Sequence, residues 1–311
     1  MTTTAHPFHL LDRATMLATR SMLAISPATK FGPDARAPFD ALMEKTPAAH
    51  GVSYEAAIIG GVAGFWCRPD NAPTDCVTLY LHGGAYVVGS ARAYQHLASQ
   101  LAQRAGMSFF VPDYRLAPEH PFPAAVEDAR AAYAGLATLG FNRIAVAGDS
   151  AGGGLALILL ALASVDARNG SVPMPFCAAV MSPWTDLALT GDSLDTRAKD
   201  DPLLSRATLA GAEALYLGDH DPRDPLASPL YGNLTGLPPV QLHVGQDEVL
   251  LDDACRYGDR HRAAGGNASV HIWKGMTHVF AANVAMLRAA DEALNMMAAF
   301  IGSASVADVI R

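Results

Sequence analysis

From residue 76 onward, short apolar runs of strand length alternate with helix-like segments, and that alternation leaves the chain very few architectures. The runs are 76–81, 107–113, 143–148, 176–182, 240–245 and 268–274. Helix-like segments 91–104, 124–139, 151–163 and 253–264 fall between most of them, and 282–300 closes the chain. Strands joined through crossover helices pair parallel, so the pattern predicts an α/β fold with a mostly parallel sheet covered on both faces. Two earlier runs, 54–59 and 62–68, are separated by Gly60-Gly61, a hairpin signal that sets antiparallel pairing at one edge. Eight strands are expected in all. One interval breaks the rhythm: 183–239 is rich in Asp, Pro and Gly, with a single helical stretch at 205–217. Loops that long in a compact domain are usually lids or insertions. The first fifty residues precede the sheet and have helical character at 10–23 and 37–43. Segments 1–50 and 183–239 are therefore expected to form a two-part helical cap over a core built from 51–182 and 240–311.

Composition narrows the function classes. The chain has 311 residues, is half hydrophobic and carries a net charge of -8, with only 22 Lys and Arg and no basic run. It can bury a large core, and its charge argues against nucleic acid as a partner. Cys67, Cys76, Cys177 and Cys255 are scattered without C-x-x-C or disulfide-like spacing, which suits a reducing, cytoplasmic setting. The N-terminal residues lack the charged and apolar regions of a secretory signal. The apolar run 155–163 is short of the ~20 residues that span a bilayer, so a buried helix and no membrane partner are expected. No metal-binding motif accompanies the acidic pairs Asp200-Asp201 and Asp252-Asp253, and no metal or organic cofactor is called for.

Chemistry enters at Gly148-Asp149-Ser150-Ala151-Gly152, which lies between an apolar run and a helix-like stretch. A serine flanked by small residues at a strand-to-helix junction can occupy a tight turn with its hydroxyl above the sheet. Its hydroxyl needs a base. Among eleven histidines, His278 follows the last strand run, at the sheet end where α/β sites assemble. Asp247, on the loop after the preceding strand run, is the first choice for the acid that orients the imidazole; Glu248, one residue on, is the second. His82-Gly83-Gly84-Ala85-Tyr86 follows another strand run, and the N–H groups of Gly83 and Gly84, with that of Ala151, are expected to form an oxyanion hole. His82 is expected to stiffen that loop, and Asp149 to be a buried, paired carboxylate.

With these segments in view, the chain resembles the hormone-sensitive-lipase-like branch of the α/β-hydrolases, the bacterial family IV carboxylesterases. The resemblance is carried by His82-Gly83-Gly84-Ala85-Tyr86, Asp113-Tyr114-Arg115-Leu116-Ala117-Pro118-Glu119 and Gly148-Asp149-Ser150-Ala151-Gly152-Gly153. It continues in Ser182-Pro183-Trp184-Thr185-Asp186 and Asp247-Glu248-Val249-Leu250-Leu251-Asp252-Asp253, and covers roughly residues 50 to 300. It implies an eight-stranded α/β-hydrolase core under a helical cap, and hydrolysis of short-chain carboxylic esters by a serine esterase. It also implies that homodimers occur. Ala85 departs from the pattern, which has a third glycine there; the added methyl disfavours a positive φ while leaving the N–H in place.

Three further expectations follow. Tyr86, Trp184, Tyr216, Val279 and Phe280 are candidates for the substrate pocket. Asp113, Arg115 and Glu119 are expected to form an ion-pair network near the site. A small-molecule ester or lactone is the expected substrate; the alternatives are a lactone hydrolase and a non-catalytic small-molecule receptor on the same scaffold.

Overall fold

Val52–Ile59 (β2) and Val62–Pro69 (β3) pair antiparallel along their whole length, from Val52 opposite Pro69 to Ile59 opposite Val62. Gly60 and Gly61 both have positive φ, as a two-residue turn between right-twisted strands requires. The computed structural model describes residues 3–24 and 30–307; parts of the 1–50 and 240–311 assignments lie outside them. Beyond the hairpin, β3 pairs antiparallel with Ser108–Pro112 (β5), and every remaining pairing is parallel. Those strands are Cys76–Leu81 (β4), Arg143–Asp149 (β6), Ala178–Met181 (β7), Val240–Gly245 (β8) and Ala268–Trp273 (β9). Every residue of β4 and β8 is buried, as expected of strands covered on both faces.

Among the described residues the sheet has nine strands, in the order β1-β9-β8-β7-β6-β4-β5-β3-β2. The extra strand is Thr3–His6 (β1), which pairs parallel with β9 from Thr3 opposite Val270 to His6 opposite Trp273. This corrects the assignment of all of 1–50 to the cap. Four residues without an apolar alternation carry no strand signal of their own. The His6 ring anchors the strand by stacking on Trp273 at 3.9 Å, and its Nε2 lies 3.0 Å from His271 Nδ1.

Alternating residues of β4 divide the core. Val77, Leu79 and Leu81 face the layer containing Ala124–Thr138 (α4), Ser150–Arg168 (α5) and Leu251–Ala263 (α8). Cys76 and Tyr80 face the layer of Ala91–Ala105 (α3) and Arg288–Ala307 (α9). Helix α5 has the length and apolarity to cross a membrane, yet two-thirds of it is buried inside the protein. Leu10–Ala24 (α1) and Arg36–Met43 (α2) precede the hairpin, and Ser193–Thr196 (α6) and Arg206–Leu217 (α7) lie in the 183–239 interval. Ser205 caps α7 through a reciprocal pair of bonds with Thr208.

Strands β4 and β6 are neighbours although β5 lies between them in sequence, with Leu81 opposite Gly148. The chain changes direction across the sheet here, which is where α/β folds open a crevice at their strand ends. The loop after β4 and the turn after β6 therefore emerge side by side.

Candidate active site

Ser150 opens α5 directly from the end of β6, with φ +54°. Its glycine neighbours are required by contact. A Cβ on Gly148 would sit 2.5 Å from the carbonyl oxygens of Gly152 and Leu81, and one on Gly152 would sit 2.2 Å from those of His82 and Leu81. Only glycine lets the turn press against the loop after β4 and hold its serine in a strained conformation.

His278, on the loop after β9, brings Nε2 to 2.9 Å from Ser150 Oγ. Its Nδ1 lies 2.6 Å from Oε2 of Glu248. The expected first choice, Asp247, is elsewhere. Its carboxylate accepts from Arg20 Nη2 at 2.7 Å and is a quarter exposed, whereas the Glu248 side chain has no exposure at all. The two acids are adjacent in a tight turn after β8, so one faces inward and the other outward. Arg20 also donates to the Asp200 carbonyl, tying α1 to the outward side. Glutamate's extra methylene spans the gap to the imidazole.

Around the acid the polar groups are matched. Glu248 Oε1 accepts from the Ser182 hydroxyl at 2.8 Å and from the Gly245 N–H. Buried Asp201 accepts from the Leu203, Leu204 and Val249 amides, which fixes the acid-bearing loop against the 183–239 segment. Burial alone pulls the His278 pKa down, but the bond to Glu248 and the fields of Glu248, Asp201 and Asp149 outweigh it, and the net shift is upward. A buried imidazole between a carboxylate and a hydroxyl can take that hydroxyl's proton and hold the charge.

The loop after β4 is organised by Asp149. Its carboxylate accepts from Tyr80 OH at 2.8 Å, Tyr94 OH at 3.2 Å and the Gly83 N–H at 3.0 Å. Burial raises its pKa to about 6 against the lowering effect of those donors and of His278. The Gly83 amide is thus committed to a carboxylate, which removes it from the expected trio of oxyanion donors. The Gly84 and Ala85 amides, among the described residues, have no partner in the protein, and Ala151 contributes one of the free N–H groups that every helix start leaves. Ala85 takes φ +54° and Tyr86 φ +63° despite their side chains. A Cβ on Gly84 would lie 2.1 Å from the Val88 carbonyl oxygen, so this position admits only glycine. His82 stacks on Tyr114 at 4.2 Å, and its Nδ1 lies 2.7 Å from the Gly83 carbonyl oxygen. Burial lowers its pKa to about 4, so it is a neutral brace for the loop.

The five aromatic and apolar candidates separate. Tyr86 and Tyr216 stack at 3.9 Å, Trp184 lies 6.4 Å from Tyr86, and the Trp184 N–H donates to the Ser150 carbonyl at 2.9 Å. All three are fully buried. Val279 flanks the histidine and donates its N–H to Ser182 Oγ at 3.0 Å. Phe280 points into the α3 and α9 layer, 5.6 Å from the Trp273 ring, and is core. The expected network of Asp113, Arg115 and Glu119 does not form. Asp113 accepts from the Ala91 N–H, Arg115 pairs with Glu127 and Asp128, and Glu119 pairs with Arg36 of α2. Arg36 was not singled out in the sequence, yet it also donates to the Val87 and Ala117 carbonyls, binding α2 to the loop after β4. Asp252 and Asp253 accept from the amides of Ser193, Thr185 and Asp186 and so anchor the 183–239 segment.

Known proteins are similar to this chain in sequence and fold. Residues 78–282 match the family model of the alpha/beta hydrolase fold. An acetyl-hydrolase of Streptomyces hygroscopicus is 41% identical over 254 residues, covering 81% of this chain and 83% of that protein. An esterase of Acinetobacter venetianus is 36% identical over 248 residues, covering 79% and 80%. A crystal structure of an esterase from the bacterial hormone-sensitive lipase family superposes with a TM-score of 0.86 at 39% identity, over 95% of this chain and 98% of that one. Fold, motifs and relatives agree: the chain belongs to the α/β-hydrolase superfamily, as a hormone-sensitive-lipase-like carboxylic ester hydrolase.

Proposed function

We propose that the protein is a serine carboxylesterase that cleaves small esters through an acyl-enzyme, with Ser150, His278 and Glu248 as its catalytic row. The continuous line from Glu248 Oε2 through both imidazole nitrogens to Ser150 Oγ, at 2.6 and 2.9 Å, carries this reading. Ser150 Oγ attacks the ester carbonyl as His278 Nε2 takes its proton. The developing oxyanion accepts from the amides of Ala151, Gly84 and Ala85, with Ala85 in the place first expected for Gly83. His278 returns its proton to the departing alcohol, and a water, deprotonated by the same nitrogen, then hydrolyses the acyl-enzyme.

A short acyl group is favoured by the fully buried cluster of Trp184, which bonds the Ser150 carbonyl, with Tyr86 and Tyr216, and by similarity to a protein named acetyl-hydrolase. A panel of p-nitrophenyl esters from acetate upward, with lactones alongside, tests this. The reading expects turnover highest on the smallest acyl groups and lost in Ser150→Ala. Turnover confined to long acyl chains refutes the size assignment, and an active Ser150→Ala refutes the mechanism.

A further inference from the structure

Ser182, just after the end of β7, bonds both the acid and the residue that follows the base. Its side chain is fully buried. Its hydroxyl donates to Glu248 Oε1 at 2.8 Å and accepts from the Val279 N–H at 3.0 Å, and Val279 follows His278 directly. One oxygen thus ties the carboxylate that orients the imidazole to the backbone that carries it. The residue is held hard: its own N–H donates to the His243 carbonyl at 2.6 Å, and its φ is +48°. Val279 is strained in the same sense, at φ +49°. Side chains disfavour the left-handed region, so the surrounding contacts over-determine this geometry at both residues. Backbone strain of this kind is typical where a functional group must be aimed.

We infer that Ser182 is a positioning residue for ester hydrolysis, whose hydroxyl sets the rotamer of Glu248 and the seat of the His278 loop together. The inference rests on the catalytic row proposed above. A hydroxyl is suited to this because it donates once and accepts from another direction, which no apolar side chain of the same size can do. Losing it strips Glu248 Oε1 of one of its two donors and leaves the Val279 N–H unpaired. The carboxylate keeps only the Gly245 N–H on that oxygen, concentrates more charge, and holds the imidazolium more strongly. The other charges felt by His278, on Asp201 and Asp149, are unchanged by the substitution.

The test uses Ser182→Ala and Ser182→Gly in the full chain, with kcat, KM and the pH dependence of kcat/KM measured on p-nitrophenyl acetate. Both variants remove the hydroxyl, and glycine also relieves the positive φ, so it is the variant that keeps the fold. The expected result is KM near wild type, kcat reduced about tenfold to a hundredfold by misplacement of the row, and an acidic limb moved to higher pH in both. Ser182→Gly with wild-type kcat and an overlaid pH profile overturns the inference, whatever the alanine variant does. A loss of rate with the limb unmoved overturns it equally, because that is the mark of a merely structural serine. Wild-type enzyme that is not labelled at Ser150 by a fluorophosphonate refutes the catalytic row itself.

Discussion

Replacing Glu248 with glutamine should be far more damaging than replacing Asp247 with asparagine, although the two acids are neighbours. In Glu248→Gln the side chain keeps its shape, but the imidazolium formed when His278 takes the serine proton loses its counter-charge. At the observed 2.6 Å contact and an effective dielectric of ~20, that attraction amounts to ~6 kcal/mol. Using a ~4 Å separation between charge centres instead gives ~4 kcal/mol. The corresponding fall in kcat is about 10³- to 3 × 10⁴-fold, which brackets the roughly 10⁴-fold loss seen when the acid is replaced in a Ser-His-Asp enzyme. Asp247→Asn breaks only the pair with Arg20, whose side chains are 28% and 25% exposed. Ion pairs open to solvent contribute ~0–1 kcal/mol to stability, and kcat should stay within about fivefold of wild type on this reasoning. Steady-state hydrolysis of p-nitrophenyl acetate, with circular dichroism to verify folding, measures both. A crippled Asp247→Asn beside a healthy Glu248→Gln would refute the assignment of the acid.

Three other outcomes follow from the geometry. Ala85→Gly should keep wild-type turnover, since the amide is unchanged, and stabilise the fold by ~0.5–1 kcal/mol by relieving φ +54°; denaturant melts read the difference. The acidic limb of kcat/KM should lie above the usual histidine midpoint, because Glu248, Asp201 and Asp149 raise the His278 pKa and the base works only when neutral; a limb well below pH 6 contradicts this. His6, His243 and His271 are pushed the other way by burial, His271 to about 4. Their unfolded forms bind protons first as pH falls, so stability present above ~6.5 should drain away towards pH 4. Thermal melts of His271→Gln should show a shallower loss across that window.

Much of this was readable from residue order because it depends on local patterns. Strand-length apolar runs and most helical segments landed within a few residues of the observed elements, but the closing helix, expected at 282–300, runs Arg288–Ala307, and α5 continues past 163 to Arg168. Ser150 and His278, which the structure brings to 2.9 Å of each other, could be singled out because each follows a strand at the sheet end where α/β sites assemble. What was hidden depends on contacts distant in sequence. Nothing near the pair Asp247-Glu248 tells which acid turns inward; the deciding group is Arg20, 227 residues away. Gly83 looked like an oxyanion donor until Asp149 was seen to hold its amide, a bond made across adjacent strands. Strand β1 is only four residues long, and its stability comes from Trp273 and His271. Phe280 and Tyr86 are both aromatic residues next to site loops, and only their placement on opposite faces of the sheet separates core from site.

The claim on which the rest depends is that Ser150 becomes acylated. Rapid quenching of the enzyme during turnover of p-nitrophenyl acetate, followed by peptide mass spectrometry, tests it directly. An acetyl group is expected on the peptide containing Ser150, and none in Ser150→Ala. Hydrolysis at the wild-type rate with no acyl adduct at Ser150, or with the adduct on another residue, would contradict it.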